Sequence, residues 1–101
     1  MNTFDKAVAS YLRELPKELV RRWGNQKTHS VEQVTTAAEA IGVRTEFIAY
    51  AHAAFCSQAD FDAQYPAPPA GASYAELRAI IKERYVRDPG LDAAVMMMMM
   101  G

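Results

Sequence analysis

Three serines punctuate this chain in the same way. Ser30, Ser57 and Ser73 are each followed three residues later by a side chain that can bond back, namely Gln33, Asp60 and Glu76. A serine in that position accepts a bond from a free amide of the first helical turn, and the third residue can return one to the serine amide, so each pair marks a helix start. Apolar residues then recur at three- and four-residue spacing: Val31, Val34, Ala38 and Ile41; Phe61 and Tyr65; Leu77, Ile80 and Ile81. That spacing gathers them on one helical face. No segment alternates with the period of two that a half-buried strand needs. The expectation is an all-α domain.

The rest of the chain fits the same class. Phe4, Val8, Tyr11, Leu12 and Leu15 make a first apolar face, with Asn2 as its cap. Pro16 should then interrupt, since proline lacks the amide that a helix interior uses, either kinking one helix or starting a second, which is the favoured reading. A second short helix carrying Leu19, Val20 and Trp23 is expected to follow and to stop at Gly24. Gly42 ends the Val31 helix, and Thr45 is expected to cap the next, with Phe47, Ile48, Ala51 and Phe55 inward. The prolines of 66–72 form a stiff loop. Breaks this frequent exclude long parallel seams, so about five short helices should pack as a mixed-angle, orthogonal-type bundle with a helix-turn-helix-like corner at residues 31–55. Residues 1–90 read as one domain and 91–101 as a flexible tail containing the run Met96–Met100.

Charge narrows the function. The whole chain carries a formal net charge of -1, so nothing global draws it to nucleic acid or anionic lipid. The corner at 31–55 has the spacing of a DNA-binding unit, and a DNA-binding regulator is the alternative reading. Its second helix would have to read bases. It offers Thr45, Glu46, Ala49, Tyr50, His52 and Ala53, without the Arg, Lys, Asn or Gln that direct readout prefers. From 28 to 72 Arg44 is the sole basic residue, against Glu32, Glu39, Glu46, Asp60 and Asp62. Residues 1–27 are the reverse, with Lys6, Arg13, Lys17, Arg21, Arg22 and Lys27 against Asp5, Glu14 and Glu18. The two regions could attract each other within the fold or across a dimer. Arg21, Arg22, Arg44 and Tyr50 are the side chains singled out to touch a partner or nucleic acid. Glu18, four residues before Arg22, can pair with it, and Trp23 shares the Leu19 face.

A third reading is a small enzyme or metal site around His52 and Cys56, four residues apart on one helical face. A thiolate is disfavoured at a helix C-terminus, and a buried cysteine is an ordinary core residue. Adding Asp60 and distant His29 completes a zinc-type donor set on paper, but Ser57 starts a new helix and breaks the alignment. His52 and Asp60 then read as surface polar residues. The methionine thioethers suit Cu(I), yet no His or Cys lies near them. No cofactor is expected. The small, Ala-rich core and the aromatics Tyr50, Phe55 and Tyr74 favour a non-enzymatic protein-interaction or accessory module that binds a partner or itself. One cysteine, no export signal and no run of about 18 apolar residues point to a cytoplasmic chain without a membrane span.

Overall fold

The computed structural model describes residues 3–24, 26–67 and 71–85. The Asn2 cap, the 91–101 tail and the methionine run lie outside them. Among the described residues five helices follow one another: α1 (Thr3–Trp23), α2 (Val31–Ile41), α3 (Ile48–Phe55), α4 (Gln58–Gln64) and α5 (Tyr74–Tyr85). The described residues contain no strand, and the helices pack on one another as an all-α bundle.

The serine caps form as their spacing dictates. Ser30 Oγ accepts from the Gln33 amide at 3.1 Å, and Gln33 Oε1 accepts from the Ser30 amide at 3.1 Å. Ser73 and Glu76 exchange the same two bonds, at 3.2 and 3.4 Å. At Ser57 only the forward bond is present, from the Asp60 amide at 3.2 Å. Gly42 closes α2 with φ +74°, its amide bonding back to the Ala38 and Glu39 carbonyls. A Cβ built there meets nothing within 4 Å, so Gly42→Ala carries only the backbone cost of a left-handed alanine. We expect that substitution to lower the unfolding free energy by about 1 kcal/mol, read from the urea midpoint at unchanged slope.

Two expected boundaries are wrong. Pro16 neither ends nor starts a helix; it lies buried inside α1. Leu12, Leu15 and Leu19 flank it on one face and are fully buried. Three such side chains contribute about 1.5–3 kcal/mol each, which exceeds the roughly 3 kcal/mol that an interior proline costs. The uninterrupted register also corrects Val20. It stays on the outside at 38% exposure instead of joining Leu19 inward. Thr45 caps nothing: α3 begins three residues later, with Phe47 at the cap position and no side-chain bond. The Arg44 carbonyl accepts the Tyr11 hydroxyl, and Val43 and Phe47 pack on the core, so the chain stays non-helical until Ile48.

The core has two parts joined by α3. Val8, Tyr11, Leu12, Leu15 and Leu19 of α1 meet Val34 of α2 and Phe55 of α3. On the other side of α3, Ala53 meets Phe61 of α4 and Leu77 of α5. Arg78 of α5 donates to the Ala53 and Ala54 carbonyls at 2.8 and 3.2 Å, placing a cation at the α3 C-terminus where the helix dipole favours one. No described helix is long and apolar enough to cross a membrane.

Candidate functional site

The α3 sequence, Ile48 to Phe55, alternates alanines with larger side chains and leaves no polar face. Such a helix belongs in the interior, and Ala51 through Phe55 are all buried. His52 is carried inside with them at 2% exposure, which corrects its reading as a surface residue. Most buried polar side-chain atoms are hydrogen-bonded, and the His52 imidazole is one of them. His52 Nε2 lies 3.0 Å from Thr35 Oγ1 of α2, and Nδ1 lies 2.6 Å from the hydroxyl of Tyr65, the residue that closes α4. A hydroxyl can donate or accept, so these two partners satisfy either neutral tautomer. Burial holds His52 at a pKa of about 4, hence neutral at physiological pH.

The His52–Cys56 couple of the third reading is not assembled. Both ring nitrogens of His52 are already bonded to Thr35 and Tyr65. Cys56 is fully buried, and burial, with Asp60 second, pushes its thiol up to about 12. The thiolate needed for nucleophilic attack is therefore suppressed. Asp60 is exposed in the first turn of α4, away from that interior. Among the described residues no group of His, Cys, Asp and Glu gathers to hold a metal ion.

His29, offered as a fourth ligand, is also buried, at 1% exposure. Its amide donates to the Phe55 carbonyl at 2.8 Å, while neither ring nitrogen has a hydrogen-bond partner. Burial lowers its pKa and nearby Gln33 offsets part of that.

The side chains singled out as contacts sit in two places. Arg21 holds Glu18 with two bonds, at 3.0 and 2.6 Å, and Arg22 adds a third at 2.6 Å. These bonds hold the Glu18 carboxyl at about 2. Arg44 pairs with Glu46 at 2.9 Å through Nε. Tyr50 packs edge-on against Phe4, with ring centroids 4.9 Å apart. Arg44 meets α1 at Tyr11, so about 15 Å of helix separates it from Arg21 and Arg22. The other aromatics expected to be spare are used internally. Phe55 is core, and the Tyr74 hydroxyl donates to the Cys56 carbonyl at 2.8 Å.

An accessible groove of about 640 Å³ lies between α2 and α4. Glu32 and Glu39 of α2 face Asp60 of α4 across it, with Thr35, Thr36 and Gln64 among the rest of the lining. No Lys or Arg lines it. Thr35 ties its floor to buried His52. A smaller cavity of about 190 Å³ opens between α4 and α5 beside Phe61, Tyr65 and Tyr74. The sequence reading missed the groove because its residues come from two helices that no local spacing connects.

No curated protein and no solved structure matches this chain. Its residues 1–99 match the profile of Family of unknown function (DUF6559), and the chain belongs to that family.

Proposed function

We propose that this domain is a non-enzymatic interaction module whose partner docks a basic segment in the groove between α2 and α4. The observation that carries this reading is the lining itself: Glu32, Glu39 and Asp60 surround an accessible concavity that contains no cation. Of the groups suited to chemistry, His52 is occupied by two hydroxyls and Glu18 by two guanidinium groups. With three carboxylates in the lining, the affinity for a basic segment responds to salt.

DNA fits less well. The second helix of the 31–55 corner is α3, whose residues 51–55 are buried and whose half-buried first turn, Ile48 to Tyr50, offers no cation or amide side chain to a major groove. The groove beside it has the same sign as phosphate.

The test is a nitrogen-15 NMR titration of the full chain with a synthetic helical peptide of alanines carrying lysines seven residues apart. The amides of Thr35, Glu39 and Gln64 should shift and saturate at low salt. The shifts should fade as salt rises and in the double variant Glu32→Gln, Glu39→Gln. Unmoved groove amides at millimolar peptide, or saturating shifts with duplex DNA instead, would reject the reading.

A further inference from the structure

We infer that a second copy of this chain occupies the groove, presenting the outer face of its own α1. This rests on the groove reading above and names its partner. Lys6, Arg13 and Lys17 lie at positions i, i+7 and i+11 of α1 and all are exposed. At 100° per residue they fall within about 40° of one line along the helix. Val20 falls on the same stripe, three residues beyond Lys17. Val20, the large apolar side chain exposed among the described residues, is thus aligned with Lys6 and Lys17 along α1.

The groove carries the opposite sign. Glu32 and Glu39 are seven residues apart on one helix, about 10.5 Å along its axis. Asp60 supplies a third carboxylate from α4, and Val31 and Ala63 give the lining an apolar component for Val20 or the lysine stems to cover.

The stripe cannot reach the groove of its own chain. The buried face of α1, through Val8, Leu12, Leu15 and Leu19, is turned about 180° from Lys6 and packs on the core that α2 shares. The row of cations therefore points away from the molecule. Only another molecule can bring the two surfaces together. The contact is head-to-tail, with different surfaces on the two sides, so a pair leaves the stripe of one copy and the groove of the other free. Exposed pairs are individually weak and screened by salt, so the association is modest and reversible.

The experiment is sedimentation velocity on the full chain across concentration, at about 0.02 M and about 0.5 M salt. At low salt the average mass should rise above the 11.2 kDa of one chain, and at high salt it should return there. The double variants Lys6→Gln, Lys17→Gln and Glu32→Gln, Glu39→Gln should each associate about tenfold more weakly, the effect of removing two exposed pairs. An equimolar mixture of the two should regain a discrete two-chain species, because each supplies the surface that the other lacks. That recovery also shows that both variants are folded. A chain that stays monomeric at low salt and millimolar concentration overturns this inference. So does a lysine variant that associates like the parent. If such a monomer still shifts its groove amides with the lysine peptide, the groove reading stands and only the self-docking falls. If the groove amides stay silent as well, both fall.

Discussion

Replacing Phe55 with alanine should remove about 4 kcal/mol of unfolding free energy, within the range known for emptying a buried aromatic site. Phe55 closes α3 at 1% exposure, and its carbonyl receives the His29 amide at 2.8 Å. Ala37, Ala38, Ala51 and Ala54 share its part of the core and have no side chain that can swing inward, while Leu12, Leu15, Leu19 and Val34 are already packed there. A cavity that cannot collapse sits at the upper end of the penalty range. A domain of this size holds about 5–15 kcal/mol in total, so the variant would approach the limit of folding. Phe55→Leu keeps most of the volume and should cost less than about 1.5 kcal/mol. Urea unfolding with a common slope separates the two. A Phe55→Ala loss under about 1 kcal/mol would mean that this ring is not packed as described.

The features legible in the sequence were those decided within one helical turn. Ser30, Ser57 and Ser73 cap because the bonded residues are three apart, and Gly42 stops α2 because only its own backbone is involved. The failures needed contacts from far along the chain. Pro16 is a local stop signal overruled by leucines that pack against other helices. Thr45 is a local start signal overruled by Tyr11, which holds the Arg44 carbonyl from 33 residues away. The candidate site follows the same division. The His52–Cys56 spacing was visible, but the partners that occupy His52 lie 17 and 13 residues away on α2 and at the end of α4. An available signal was the alanine-rich α3 itself: a histidine amid small apolar residues on every face goes inside with them and must find hydroxyls there.

That buried histidine should make the fold sensitive to acid well above the range where carboxylates titrate. His52 has a pKa of 6.5 when free and about 4 in the fold. Between those values the unfolded chain binds the proton and the folded chain does not, so stability is complete above 6.5 and declines as pH falls toward 4. Linkage over that span amounts to about 2 kcal/mol lost between about pH 7.5 and about pH 5. His29 is shifted in the same direction by burial and adds to the loss. Glu18 acts lower still: held at about 2, it contributes stability that is present above its ordinary 4.5 and disappears only as pH falls below that. On the alkaline side the buried Cys56 thiol, raised from 9.0 to about 12, makes stability fall once the unfolded thiol ionises above 9.0. The expected profile is a plateau between about 6.5 and 9 with a descent on each side. His52→Gln keeps a polar group between Thr35 and Tyr65 but has no proton to gain. It should be less stable at neutral pH and should lose about 2 kcal/mol less than the parent on going to pH 5. Urea unfolding at the two pH values measures both slopes. A parent protein with the same stability at pH 7.5 and pH 5 would require His52 to take up its proton inside the fold. The Thr35 and Tyr65 hydroxyls would then both be accepting from a cation, and the neutral interior inferred for α3 would be wrong.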